Sequence, residues 1–218
     1  IRTLCLVTKD FKYFCNMNSL INNDTICALA TGGGMSAIAL IRISGDQSIK
    51  IANKVFDKNL LDKKSHTVHF GNILEDNNII DEVIITIFAK NQSFTGEQTI
   101  EISCHGSKFI QNKILELLIN NGVRLANPGE FTMRAFKNGS LQYLISTDVS
   151  ARGIDVRGLE FIIHHQLPEQ LEYYTHRSGR TARAGKTGNS IAFILPSELE
   201  RIHEIQKELN IKFTEVEV

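Results

Sequence analysis

The sequence predicts a mixed α/β protein in two parts, and three observations carry that expectation. Thr99 to Cys104 alternates apolar and polar residues, as a half-buried strand does, and leads into a stretch with apolar residues at helical spacing. Beyond Leu141, short apolar runs alternate with helix-length segments, the order that gives a parallel sheet with crossover helices. The composition is globular: of 218 residues, 42% are hydrophobic and 22% charged.

In order along the chain, Ile38 to Ile43 is a short apolar run led in by Gly32, Gly33 and Gly34. Ser44 or Asp46 is placed to cap a following helix with Ile49, Ala52 and Phe56 on one face. Val83 to Phe88 reads as a buried strand. In Thr99 to Cys104, residues Ile100, Ile102 and Cys104 face one way and Thr99, Glu101 and Ser103 the other. The helix from Lys108 to Asn120 sets Ile110, Ile114, Leu117 and Leu118 on its core side, and Gly122 ends it. Asn127-Pro128-Gly129 is a turn. In the second part, Leu141 to Ser146, Phe161 to His165 and Ser190 to Leu195 are the predicted strands. Pro168 opens a helix that Gly179 closes. Ser197-x-x-Glu200 reads as a capping box ahead of Leu199, Ile202, Ile205 and Leu209.

Composition excludes some functions. Lys+Arg and Asp+Glu are both 24, so the net charge is zero. That excludes a bulk-basic nucleic-acid binder, though not a local basic patch. No apolar run approaches the roughly 20 residues that span a bilayer, so no membrane partner is expected. Cys5, Cys15, Cys27 and Cys104 form no C-x-x-C pair and read as reduced thiols of a cytoplasmic protein. The opening residues lack an apolar core followed by a small-residue cleavage site. Met17 is a candidate start, which leaves residues 1–16 as a leader of unassigned status.

Two local pairs look like chemistry and read as structure. His66 and His69 have H-x-x-H spacing, but strand alternation sends them to opposite faces, so no metal site is expected. Cys104-His105 looks like a nucleophile and its base, but adjacent strand residues point apart.

A set of ordered blocks then narrows the reading. They are Asp24-Thr25-Ile26, Ala28-Leu29-Ala30-Thr31, Ile41-Arg42-Ile43-Ser44-Gly45 and His66-Thr67-Val68-His69-Phe70-Gly71. Asp81-Glu82-Val83, Ser93-Phe94-Thr95-Gly96-Glu97 and Glu101-Ile102-Ser103-Cys104-His105-Gly106 follow. Pro128-Gly129-Glu130-Phe131-Thr132 and Arg134-Ala135-Phe136 complete the set. Over about half the chain this resembles the N-terminal domain of the tRNA-modification GTPases MnmE (TrmE). The resemblance implies an α+β domain with a mixed sheet, over residues 17–136, that binds a reduced folate (5-formyl- or methylene-tetrahydrofolate) and forms a homodimer. It implies service in tRNA wobble-uridine modification with GTP and a flavoprotein partner. It places folate contacts on Arg42 and Glu101. A carboxylate can accept the adjacent N–H groups of a pterin, and a guanidinium can pair with a carboxylate or ring carbonyl. The chain departs from the pattern in three ways. The loop after Thr31 is Gly32-Gly33-Gly34-Met35-Ser36. The family's lysine contact falls on Ser140. No G-x-x-x-x-G-K-[ST] and no C-terminal cysteine motif occur, so no GTP site is expected.

From about Phe136, a second set of motifs appears: Ser146-Thr147-Asp148-Val149-Ser150-Ala151-Arg152-Gly153-Ile154-Asp155 and His176-Arg177-Ser178-Gly179-Arg180-Thr181-Ala182-Arg183-Ala184-Gly185. These resemble motifs V and VI of the second RecA-like domain of DEAD-box RNA helicases. The resemblance implies a partial RecA-like parallel α/β sheet over 137–218. It implies contacts to ATP or RNA from Thr147, Asp155, His176, Arg180 and Arg183, the last two as arginine fingers. ATP would bind only with a missing partner domain, so no complete catalytic set is expected. Gly185-Lys186-Thr187 imitates the end of a Walker A motif, but Arg180 stands where its first glycine belongs.

The two resemblances meet at Phe136-Lys137-Asn138-Gly139-Ser140, a short stretch with counterparts in both families. Three readings follow: a folate-binding and dimerisation domain without its GTPase, an RNA-helicase fragment without independent turnover, and a joining artefact without a physiological role. About 80 residues of truncated sheet with an unpaired edge are a poor independent fold.

Overall fold

A computed structural model describes residues 4–8, 24–32, 34–147, 159–181 and 187–216. They fall into two units. One is Ile21–Leu144; the other is built from both ends of the chain, Ile1–Leu20 with Ile145–Val218.

The first unit is a six-stranded sheet in the order β4-β5-β6-β3-β2-β7. Its strands are β2 (Ile26–Leu29), β3 (Ile38–Ser44), β4 (Thr67–Glu75), β5 (Asn78–Phe88), β6 (Thr99–His105) and β7 (Arg124–Leu125). All neighbours are antiparallel except β2 and β7, which run parallel. Helices α1 (Ser48–Val55) and α2 (Lys108–Asn120) pack on one face. Ile51, Ala52, Val55, Ile114 and Leu118 there meet Ile41, Ile43, Ile85, Ile87, Ile100 and Ile102 from the strands. Burial along β5 follows the alternation: Val83, Ile85 and Ile87 are covered, whereas Ile84 is 44% exposed.

The alternation expected in β6 is present, and α2 spans the predicted residues. Ser107 caps α2, its hydroxyl accepting the Ile110 N–H at 3.2 Å. The expected cap of α1 is corrected. Gln47 occupies the N-cap position without a side-chain bond. The Ser44 hydroxyl is engaged elsewhere, with Thr95 and Glu97. The chain reaches α1 through Gly45, whose φ of +132° is open to glycine.

The second unit is a four-stranded sheet in the order β10-β1-β9-β8. Its strands are β1 (Leu4–Thr8), β8 (Phe161–His164), β9 (Asn189–Ile194) and β10 (Phe213–Val216). β8 and β9 are parallel and enclose α4 (Leu171–Ser178) in sequence. β1 is antiparallel to both β9 and β10. The sheet is therefore mixed, with a parallel pair at one side. A core of Tyr174, Ala192, Ile194, Ile202, Ile205 and Phe213 holds α4 and α5 (Leu199–Leu209) to it.

Three sequence expectations fail here. Leu141 to Ser146 forms no strand; Tyr143 is 81% and Ile145 99% exposed, so this apolar run finds no sheet to join among the described residues. Helix α4 begins at Leu171, three residues after Pro168, although Gly179 does close it. The Ser197-x-x-Glu200 box is replaced by a nearer one. The Glu198 carboxylate accepts the Leu195 N–H at 2.7 Å and closes a 3-10 turn over Pro196–Glu198 before α5 starts.

Gly45 gives a direct test of the first unit. A Cβ there would lie 2.7 Å from both Cα and Oγ1 of Thr25, on a positive-φ backbone. Gly45→Ala should lower the denaturant midpoint by the equivalent of about 1–3 kcal/mol. Urea unfolding followed by circular dichroism checks it.

Candidate functional site

Strands β3 and β6 pair so that Arg42 stands opposite Glu101, and β5 brings Thr86 opposite Glu101 on its other side. Alternation turns these three residues away from the helix-covered core. Arg42 Nε donates to Glu101 Oε1 at 2.9 Å, and a second guanidinium nitrogen lies 2.8 Å from the same oxygen. Glu101 Oε2 and Arg42 Nη1 have no hydrogen-bond partner among the described residues. The side chains are 22% and 20% exposed, so the pair is partly shielded but reachable. The guanidinium carbon lies 5.2 Å from the Phe94 ring centroid and 5.8 Å from that of Phe131, within cation–π range. The arrangement is an ion pair with spare donor and acceptor capacity beside two aromatic rings. It suits a planar heterocycle that offers both hydrogen-bond donors and acceptors.

A second layer of charge holds these rings in place. Phe131 is on α3 (Glu130–Lys137), and Phe94 is in the loop before β6. Arg134 of α3 is buried. Its Nη2 donates to Asp24 Oδ1 at 2.8 Å and Glu130 Oε1 at 3.0 Å; its Nη1 donates to the Asp24 carbonyl at 2.8 Å and Glu97 Oε2 at 3.2 Å. Arg124 binds the same carboxylates, at 2.5 Å to Asp24 and 2.6 Å to Glu130. Ser44 connects this layer to β3, two residues from Arg42, with its hydroxyl 2.7 Å from Thr95 Oγ1 and 2.6 Å from Glu97 Oε2. The hydrogen bond from Arg124 outweighs partial burial and, with Arg134, holds the Asp24 carboxyl below its ordinary value. Burial opposes ionisation of Glu130, but bonds from Arg124, the Asn127 N–H and Arg134 prevail and lower it too.

Ser140 lies past the end of α3, its N–H donating to the Ala135 carbonyl at 2.9 Å. A Cβ built on Gly96 would come within 3.1 Å of its hydroxyl, so Ser140 borders the loop that carries Phe94. Neighbouring Asn138 donates to the Thr95 carbonyl at 2.8 Å.

Cys104 and His105 point apart, as strand geometry requires. Cys104 is buried, and burial together with the Asp81 charge pushes its thiol up to about 11. It is no nucleophile at neutral pH. His105 instead meets Asp81, Nδ1 to Oδ1 at 2.7 Å, while its backbone N–H donates to the other carboxylate oxygen at 2.8 Å. Burial likewise pushes Cys27 up to about 11.

In the second unit, Asp155 and Arg183 lie outside the described residues, as do Gly185 and Lys186. Thr147 is exposed in an irregular segment. His176 is on α4, 3.8 Å from Glu172, and Arg180 Nε donates to the His176 carbonyl at 3.2 Å. Arg180 and His176 are thus brought together. The same unit holds a buried hydroxyl cluster that local sequence patterns do not reveal. His164 Nε2 lies 3.1 Å from Ser178 Oγ and 3.0 Å from Ser190 Oγ, with its ring stacked on Tyr174.

Arg42 and Glu101, the pair expected from the sequence, are joined by the sheet register. Phe94, Phe131, Asp24, Glu97, Glu130 and Arg134 are not among the residues expected from the sequence, yet all six stand in the ordered blocks quoted above, and position in those blocks is the signal the sequence offers. The geometry defines an α/β domain whose sheet carries a partly shielded arginine–glutamate pair. Residues 25–140 match the family described as GTP-binding protein TrmE N-terminus, and the chain belongs to that family. It is similar to the tRNA modification GTPase MnmE of Flavobacterium johnsoniae, at 51% identity over 126 residues, covering 56% of this chain and 27% of the relative. MnmE of Flavobacterium psychrophilum is 50% identical with the same coverage. MnmE of Cytophaga hutchinsonii is 52% identical over 119 residues, 54% of this chain and 26% of the relative. The chain thus spans about a quarter of the length of these curated relatives.

Two outcomes follow from the charged layer. Arg134→Ala leaves three carboxylates near one another and should cost roughly 3–5 kcal/mol, with Arg134→Lys intermediate because the fork is lost. Denaturant titration of the three proteins measures this. Because Asp24 and Glu130 are held below their ordinary 3.8 and 4.5, their stabilisation is fully present above those values and is lost as pH falls below them. Thermal unfolding should therefore move down most steeply below about pH 4, and less steeply in Arg134→Ala.

Proposed function

We propose that residues 24–140 form a reduced-folate-binding and dimerisation module of the MnmE type, serving tRNA wobble-uridine modification. The observation that carries this is the Arg42–Glu101 pair beside Phe94 and Phe131. The free carboxylate oxygen of Glu101 accepts the adjacent N–H groups of a tetrahydropterin. The Arg42 guanidinium, held by Glu101, offers its remaining donor to a ring carbonyl or a ligand carboxylate. The ligand is 5-formyl- or methylene-tetrahydrofolate. Ser140, which departs from the family's lysine, contributes a hydroxyl in place of a cation, so affinity falls below that of a lysine-bearing relative. The homodimer reading is supported by exposed apolar residues on β4 and β5, with Val68 63% and Phe70 59% exposed. A tRNA substrate and a flavoprotein partner belong to this reading through the family resemblance alone.

For residues 141–218 a second reading is favoured by one feature, the parallel β8–α4–β9 unit with His176 and Arg180 at the end of α4. That feature supports a helicase-type phosphate-contacting piece, to which the motif resemblance adds Thr147 and, outside the described residues, Asp155 and Arg183. It would contact RNA or ATP phosphates without turnover of its own.

Calorimetric titration of the full chain with 5-formyltetrahydrofolate tests the first reading. Micromolar binding is expected. Glu101→Ala should weaken it at least about tenfold, or ~1.4 kcal/mol, with an unchanged circular dichroism spectrum. A folded chain that binds no reduced folate would sink the proposal.

A further inference from the structure

The second unit uses both ends of the chain, and this has a consequence for what must be synthesised for it to fold. In the order β10-β1-β9-β8, strand β10 has β1 as its only ladder partner among the described residues. The register runs Cys5↔Val216, Leu6↔Glu215, Val7↔Thr214 and Thr8↔Phe213. On its other side β1 pairs with β9 from Leu4↔Ile194 to Thr8↔Ser190. β1 is thus an interior strand, and its backbone groups are shared between two neighbours.

We propose that the slot between β9 and β10 is a strand acceptor for residues 4–8, and that the unit formed by Ile145–Val218 requires this N-terminal segment to fold. Without β1, the inner edge of β9 exposes unpaired N–H and C=O groups, and β10 loses every ladder bond it makes. β10 carries Phe213, which is 8% exposed and lies edge-on to Tyr174 with ring centroids 6.0 Å apart. Two bonds to Gln206 remain near the start of β10, one from the Phe213 N–H at 2.8 Å and one from the Ile211 N–H at 3.1 Å. They hold its entrance and leave Thr214 to Val216 without a partner. Among the described residues the core of this unit is small, so an open edge and a released Phe213 are a large fraction of what holds them. Recognition in such a slot is by backbone ladder, the mode in which an extended segment completes a sheet. The occupant is suited to it: Ile1 to Asp10 contains neither proline nor glycine. A chain begun at Met17 would lack the strand, and its residues 189–216 would lose their central pairing.

Hydrogen exchange of the full chain, read by mass spectrometry, tests this. In the unaltered protein, amides of residues 4–8 and 213–216 should exchange at least ~100-fold more slowly than an unstructured chain. Exchange of residues 4–8 at the unstructured rate would overturn the proposal. Leu6→Pro removes a ladder donor from the middle of an interior strand. It should raise exchange at least ~10-fold in residues 190–194 and 213–216 while leaving 38–44 and 99–105, in the first unit, unchanged. Unaltered protection of residues 213–216 in Leu6→Pro would also overturn it. Leu6→Val, which keeps the donor, should behave as the parent.

Discussion

The buried guanidinium of Arg134 is the constraint on which the first unit's site depends. A cation that is 9% exposed must be paired, and its three carboxylate partners come from separate places in the chain. Asp24 precedes β2, Glu97 ends the loop before β6, and Glu130 opens α3. One side chain therefore fixes three segments at once. Arginine can do this because its fork presents several donors in one plane, which lysine cannot. Phe131 and Phe94 lie on two of those segments. The rings beside Arg42 are thus positioned by charge pairing that never touches Arg42. Ser44, bonded to Glu97 and Thr95, ties the same layer to the strand that carries Arg42.

The two ion-pair systems differ in what they contribute. Arg42–Glu101 is a cross-strand pair with about a fifth of each side chain exposed. Solvent screening limits such a pair to at most about 1 kcal/mol of stability. Its geometry also leaves an acceptor on Glu101 and a donor on Arg42 uncommitted among the described residues. The Arg134 layer is the reverse: shielded, multiply bonded and with little left to offer a ligand. Stability therefore resides in the second system, and the spare hydrogen-bonding capacity in the first. A charged residue in an ordered block can belong to either, and only the exposure and the unused valence tell them apart.

That difference explains what was legible in the sequence. The β6 alternation and the α2 periodicity are local signals, and both elements form where expected. Glu101 on the polar face of β6 followed from parity alone. Its pairing with Arg42 did not, because the register between β3 and β6 is set by the sheet. The roles of Asp24, Glu97 and Arg134 were hidden for the same reason: each needs partners 37 to 110 residues away. The misread caps had nearer competitors. Ser44 was drawn to Thr95 and Glu97, and Glu198 reached Leu195 before Glu200 could act. Leu141 to Ser146 has the composition of a strand, but a strand exists only where a neighbour offers a free edge. The Leu4–Thr8 strand shows the converse. Nothing local marks it as part of a sheet whose other members begin at Phe161.

The separation of those members bears on how the second unit forms. Cys5 pairs with Val216, nearly the full length of the chain. The Arg42–Glu101 pair closes 59 residues. Loop-closure entropy grows only with the logarithm of length, at about 0.6 kcal/mol per doubling, so the longer closure costs only about 1 kcal/mol more. The intervening Ile21–Leu144 is also a compact unit, and once formed it shortens the flexible chain to be closed. Distance in sequence is therefore no thermodynamic barrier to β1 joining β9 and β10. It is a kinetic one. The pairing of residues 5–8 with 213–216 must await the later segment, whereas the strands of the first unit all lie before residue 144. Until β1 arrives, β9 presents a bare edge. The same pairing that completes the second unit thus also covers that edge of β9.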